Sequence, residues 1–227
     1  MKLVPGDPFA FGYGEHFSAI GTTGAGKTFM TKNAILPWHY RFIVVDSKAR
    51  ASGESFDFTE KAFVKCDVRH AIKFAGKNKN FRLRIPTKLG DEGFQEVEDL
   101  AEGLLKQNGH DCLVYLDEIT DMSDAWQIGP MLQGLIRKAR GYNISVGVGS
   151  QKPAGVSGWF LDNSAHIFIF GMKQSEVARF TKRTGAEWVA EVQPEIPIGS
   201  YKFAHQDFQD KVTVFDPVAE YPWGSVE

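Results

Sequence analysis

Eight residues, Gly21 to Thr28, read GTTGAGKT and follow the apolar run FSAI. No other stretch constrains the fold as much. A loop of the form G-x-x-x-x-G-K-T turns successive backbone N–H groups toward phosphate oxygens, and it needs a strand before it and a helix after it. Gly21, Gly24 and Gly26 permit the tight wrap, while Thr22, Thr23 and Ala25 supply further backbone donors. The helix that follows adds the positive end of its dipole. Lys27 would neutralise the β- and γ-phosphates and Thr28 would ligate Mg²⁺. Both flanks are present, FSAI as a strand and KTFMTKNAI as a short helix. The ligands implied are ATP, or a close analogue, and Mg²⁺.

The rest of the chain alternates strands and helices. RFIVVDSK is a buried strand, and AFVKCDV and FRLRIP are shorter strand candidates. Phe94, Val97, Leu100, Ala101, Leu104 and Leu105 recur at helical spacing and predict a helix over 92–107. CLVYLDEI is the next strand. Ile128, Met131, Leu132, Leu135, Ile136 and Ala139 mark a second amphipathic helix, which Pro130 either begins or kinks. NISVGVGSQ and AHIFIFGM are strands, and QSEVARFTKRTG is a helix with Gly185 as its C-cap. SYKFAH and KVTVFD form a small C-terminal hairpin. Several strands are apolar without alternation, as in a mainly parallel sheet covered on both faces. The expected fold class is α/β, a P-loop NTPase with a RecA-like core. One domain is expected over 1–215, with 1–15 as an irregular lead-in and 216–227 as a tail whose Tyr221 and Trp223 would be available to a neighbour.

Composition narrows the class. The 227 residues, 43% hydrophobic and 24% charged, suit one soluble α/β domain. A net charge of −2 excludes a globally basic nucleic-acid coat but not a local basic channel. AHIFIFGM falls far short of the roughly 20 residues that span a bilayer, so no transmembrane segment is expected. Cys66 and Cys112 lie far apart in apolar runs and read as reduced thiols. The six histidines show no metal-ligand spacing.

A phosphate loop needs an acidic partner. CLVYLDE ends an apolar strand in Asp117 and Glu118. Asp117 can hold Mg²⁺, directly or through its hydration shell, and Glu118 can polarise an attacking water. A small-molecule kinase has no use for that second carboxylate. Gln151, at the end of SVGVGSQ, falls at the strands' carboxyl edge, within reach of a γ-phosphate or the water. The aromatic stretch FAFGY would either stack on a base or join the core.

FIVVDSK, LVYLDE, RKARGYNISVGVGSQKP and NSAHIFIF stand in the order found in FtsK-HerA superfamily motor ATPases. The resemblance covers roughly residues 16–185 and includes that family's Asp-x-Lys, here Asp46 and Lys48. It implies a ring, expected to be hexameric, with ATP at subunit interfaces and an arginine inserted by the neighbour. Arg140 aligns with the family's KAR and is the first candidate; Arg137, Arg179 and Arg183 are the alternates. A bare motor domain resembles the genome-packaging ATPases of tailless icosahedral viruses with internal membranes. That implies double-stranded DNA and a capsid vertex or portal protein as partners, and host cytoplasm or a virion packaging vertex as location. A cellular motor in DNA processing or conjugation, and an ATP-dependent switch that moves nothing, remain open.

The interval 68–90 carries Arg69, Lys73, Lys77, Lys79, Arg82, Arg84 and Lys88 without an acidic residue. Such a cluster fits sequence-independent contact with a phosphate backbone. Lys73, Lys77, Lys79, Arg82 and Arg84 are the DNA candidates. A solvated basic face, or an interface to an acidic neighbour, would have the same composition.

Overall fold

The structure is a computed structural model and describes residues 8–48, 57–59, 61–77, 80–107, 111–121 and 128–224. Among these, nine strands form one sheet: β1 (Phe17–Ile20), β2 (Arg41–Asp46), β3 (Val64–Lys65), β4 (Phe81–Pro86), β5 (Cys112–Asp117), β6 (Ile144–Ser150), β7 (His166–Phe170), β8 (Phe203–Gln206) and β9 (Val212–Phe215). Their order is β3-β4-β2-β5-β6-β1-β7-β8-β9. The first seven positions pair in parallel, and β8 and β9 add an antiparallel hairpin. The expected α/β class, mainly parallel sheet and terminal hairpin are all present. No helix among the described residues is long and apolar enough to cross a membrane.

The unalternating strands are central. β5 and β6 are buried at every position, as a parallel strand covered on both faces must be. One face packs on α2 (Val68–Ala75), α3 (Asp91–Lys106) and α4 (Pro130–Tyr142), with Val114, Val146, Leu100 and Leu135 among the core residues. On the same side, α5 (Gly158–Asp162), α6 (Gln174–Thr184) and α7 (Trp188–Val192) cover Ile20 and Ile169. The other face holds Phe17, Phe42, Tyr115 and Phe168 under the first helix and the N-terminal lead-in.

Helix ends follow local chemistry. Pro130 opens α4 at its first turn and does not kink it. Glu98, buried on α3, accepts from Met131 N and Leu132 N at 2.9 Å each, so its carboxylate satisfies two orphan donors at the start of α4. Gly185 closes α6 at φ 73°. Asp67 caps α2 by accepting from His70 N at 2.8 Å. That cap corrects the expected strand AFVKCDV: only Val64–Lys65 pairs as a strand, and Val68 already belongs to a helix. The short helices α5 and α7 were not anticipated; five residues carry too little periodicity to be read.

The first and last described segments both pack on the core. Phe11 stacks on His166 and Phe9 on Phe168, so the aromatic lead-in is core and not a base platform. Trp223 packs on Phe42 and Phe63, and Tyr221 N donates to Asn33 Oδ1 at 3.0 Å. The tail aromatics are therefore spent on this chain's own core.

Candidate active site at the carboxyl edge of the sheet

β6 lies between β1 and β5, with Ile20 opposite Ser150 and Leu116 opposite Val148. β2 lies on the far side of β5, with Asp46 opposite Asp117. The glycine loop, Gln151, the Asp117–Glu118 pair and Lys48 consequently meet at one edge, although they are far apart in sequence.

The loop leaves β1 and is pinned by its own backbone. Gly21 N donates to Ser150 O at 3.2 Å and Thr22 N to Gly171 O at 3.2 Å. Gly26 sits at φ 102°, a conformation that a side chain strongly disfavours. Lys27 and Thr28 then open a helical segment, α1 (Lys27–Met30), which widens to π geometry over Thr31–Ile35 and tightens again at Leu36–Trp38, a turn that contains Pro37 and ends at the extended His39. Lys27 is only 5% exposed, and its Nζ donates to Gly21 O at 2.9 Å and Thr22 O at 2.8 Å. Burial pushes its pKa down to about 8, against the pull of Glu118 and Asp117.

Thr28 Oγ1 donates to Asp117 Oδ1 at 3.0 Å. Asp117 is 1% exposed and has further partners. Tyr115 donates to the same oxygen at 3.2 Å, and Lys48 Nζ lies 3.0 Å from Oδ2. Lys48 Nζ also donates to Thr28 Oγ1 at 3.1 Å. Burial opposes the charge on Lys48, but Asp117 outweighs it and the lysine pKa is raised. Gly149 makes room for Tyr115, because a Cβ there would fall 2.5 Å from the phenol oxygen.

Glu118, 3% exposed, sits at φ 64°. A left-handed conformation is costly for a residue of this type and recurs at functional sites. Both carboxylate oxygens accept from Gln151 N, at 2.8 and 2.9 Å, and Thr120 Oγ1 donates to Oε1 at 2.7 Å. Burial raises the Glu118 pKa, with those donors resisting the shift. The Gln151 side chain accepts from Thr23 Oγ1, linking the end of β6 to the loop. The eight loop residues, Asp117, Glu118 and Gln151 are thus brought together. Lys48 completes the cluster; only its place in an Asp-x-Lys pair pointed to it in the sequence.

The arginines lie elsewhere. α4 runs back toward the start of β6, so Arg140 sits at the amino edge of the sheet, where Gly14 packs against its Cα. Arg140 and Arg137 are exposed, and Arg137 lies 5.6 Å over the Trp159 ring. Arg179 is exposed in the middle of α6, and Arg183, in its last turn, is half-buried with its pKa lowered by burial.

The basic interval divides. Lys73 and Lys77 are exposed at the end of α2. Arg82 is half-buried, its guanidinium 5.1 Å over Trp223. Arg84 is 0% exposed and lies 3.6 Å from Asp46, so its expected role in DNA contact is corrected: it is a core residue. Lys79 lies outside the described residues.

No family model matches the sequence, and no curated protein matches it. Solved structures share the fold. The genome packaging NTPase B204 from Sulfolobus turreted icosahedral virus 2, in complex with AMPPCP, is 14% identical with a TM-score of 0.71, over 91% of this chain and 98% of that one. B204, the DNA-packaging ATPase from Sulfolobus Turreted Icosahedral Virus, is 12% identical with a TM-score of 0.68, over 92% and 100%. VirB4 of Thermoanaerobacter pseudethanolicus is 12% identical with a TM-score of 0.60, over 90% and 89%. At the level of fold, the resemblance expected from the motif order is present in three dimensions.

Proposed function

We propose that this chain is a Mg²⁺-dependent ATPase that moves double-stranded DNA, and that it packages a viral genome into a preformed capsid. The observation that carries the reading is the meeting of Lys27, Thr28, Asp117, Glu118 and Gln151 at one sheet edge. The fold likeness to B204, along its whole length, supports the packaging setting.

Each residue then has a physical task. The loop N–H groups from Gly21 to Thr28 cradle the phosphates, and Lys27 neutralises them. Thr28 Oγ1 and Asp117 converge as hard oxygen donors, and the ammonium of Lys48 bridging both supports a cation site there. Thr28 and Asp117 would hold Mg²⁺, the latter directly or through water, and the ion would supply charge neutralisation on phosphate oxygens. Glu118 is aimed by its backbone and fixed by Gln151 N. Its raised pKa makes it a stronger base for a water proton. Gln151 stands between loop and base, where its side chain can orient that water.

The arginine is supplied by a neighbour in a ring, hexameric in this reading, with Arg140 first and Arg137, Arg179 and Arg183 as alternates. Arg140 lies at the sheet edge opposite its own loop, which leaves a neighbour's phosphates as its target. Lys73 and Lys77 grip the DNA backbone, with Lys79 and Arg82 as further candidates. Residues 1–215 act as one ATPase domain, carrying the 216–227 segment, and work in host cytoplasm or at a virion vertex against a capsid or portal protein.

The test is ATP hydrolysis with and without duplex DNA. Stimulation by DNA, lost when Lys73 and Lys77 are both changed to Ala, supports the motor. Hydrolysis indifferent to DNA in the assembled state overturns it in favour of a switch. Arg140→Ala mixed with Lys27→Ala recovers part of the activity if the arginine acts in trans.

A further inference from the structure

Beside the loop lies a cavity of about 340 Å³ whose lining is almost wholly apolar. Its walls include Gly26, Phe29, Phe170, Tyr201, Pro217 and Val218. We propose that this cavity seats the nucleobase, and that it holds adenine and guanine alike, by stacking and shape without a base-reading side chain. The proposal rests on Gly21–Thr28 being a triphosphate seat.

Covalent continuity identifies the occupant. Gly26 belongs both to the loop that would hold phosphate and to the cavity wall. A base tethered to those phosphates through a ribose has this cavity within reach. The cavity volume is at the small end of ligand sites and suits one flat ring system. A Cβ on Gly26 would come 3.3 Å from the Tyr201 ring and 3.7 Å from that of Phe170, so the glycine also admits both aromatics against the loop.

Two large apolar side chains stand open at the site. Phe29 is 46% exposed and Tyr201 is 55% exposed. Aromatic faces left in water gain from a stacked base. Tyr201 is also held at φ 58°, in a turn where Ser200 N donates to Pro197 O at 3.0 Å. Backbone strain of this kind persists where the surrounding structure fixes it, commonly at ligand clamps.

The chemistry of the walls sets the specificity. Adenine and guanine differ in their hydrogen-bonding edges, and discrimination needs a partner aimed at that edge. Among the described lining residues, Tyr201 carries the one polar side-chain group, a hydroxyl that donates to or accepts from either base. A purine offers more stacking surface than a pyrimidine, so CTP should bind less tightly.

Pro217 and Val218 form their part of the wall only because the segment after β9 is tied down. Trp223 on Phe42 and Phe63, and Tyr221 N on Asn33, provide the tie.

The experiment measures Mg²⁺-dependent binding of ATP, GTP, CTP and inorganic tripolyphosphate to the full chain by calorimetry. Wild type, Lys27→Ala and the pair Phe29→Ala with Tyr201→Ala are compared. ATP and GTP affinities are expected within about threefold of each other, both roughly tenfold or more tighter than tripolyphosphate. The double variant should lower ATP and GTP binding to about the tripolyphosphate level while tripolyphosphate still binds, which also shows the loop is folded. Unchanged ATP affinity in the double variant, or ATP and GTP differing by more than about thirtyfold, overturns the proposal and leaves the phosphate seat standing. Wild type binding neither ATP nor tripolyphosphate, or Lys27→Ala binding both normally, removes the phosphate seat and this proposal with it.

Discussion

The backbone N–H of Gln151 donates to both carboxylate oxygens of Glu118, at 2.8 and 2.9 Å. The two residues end adjacent strands, so the sheet itself fixes the proposed base at the mouth of the loop. Glu118 meets that amide only because its own backbone turns to φ 64°. Burial raises the pKa of the carboxylate, against the Gln151 and Thr120 donors and the nearby charges of Lys27 and Lys48.

Replacing Glu118 by Gln should separate binding from chemistry. The shape and most hydrogen bonds survive, but the proton acceptor is lost. ATP turnover is expected to fall about 10²- to 10⁴-fold, with nucleotide affinity changed by less than about threefold. Single-turnover hydrolysis and equilibrium binding give the two numbers. Full turnover in the variant would remove Glu118 from the mechanism.

Lys27 carries a pH signature. Its folded pKa of about 8 lies below the ordinary 10.5. Between these values the unfolded chain holds the extra proton, so stability relative to Lys27→Met should rise with pH across that window. Below pH 8 the wild type bears the full cost of the buried ammonium, on the order of 3 kcal/mol. Denaturant unfolding of both proteins from pH 7 to 10.5 measures the difference; a flat difference would mean that the ammonium is not destabilised by burial.

Lys48 compensates a buried carboxylate. Lys48→Met removes the cation 3.0 Å from Asp117 and should destabilise the nucleotide-free protein by about 2 kcal/mol. The 30% exposure of the Lys48 side chain keeps this below the cost of breaking a fully buried pair. Mg²⁺ with nucleotide should restore more stability to the variant than to wild type. Melting curves with and without Mg²⁺-nucleotide decide it, and equal gains would count against a shared cation site.

Trp223 should be a stability residue although it lies in the last described segment. Trp223→Ala deletes contacts with Phe42, Phe63 and the Arg82 guanidinium and is expected to cost about 2 kcal/mol. A truncation after residue 219 should lose a similar amount. Urea midpoints of both variants test this; a shift near zero would show the contacts to be incidental.

Much of the site was legible in sequence because its signals are local. The glycines, Lys27 and Thr28 declare their geometry within eight residues, and Asp117–Glu118 and Gln151 end strands whose apolar runs are unmistakable. Lys48 was half-legible, visible as a motif residue but not as the partner of both Thr28 and Asp117. Arg84 was misread because a cation in a basic run looks exposed until the opposite strand places Asp46 beside it. α2 was misread because a two-residue strand and a capped helix share one short apolar stretch.

By itself, the sequence determined the loop, the alternation of strands and helices and the acidic strand end, since backbone conformation and hydrophobic periodicity are written into short windows. The tertiary structure decided what those windows face. Placing β6 between β1 and β5 put Gln151 against Glu118, folding the tail inward put Trp223 against Phe42 and Phe63, and bringing Tyr201 and Val218 to Gly26 made the cavity. These outcomes depend on sheet order and on contacts between residues far apart in the chain, which no local pattern encodes.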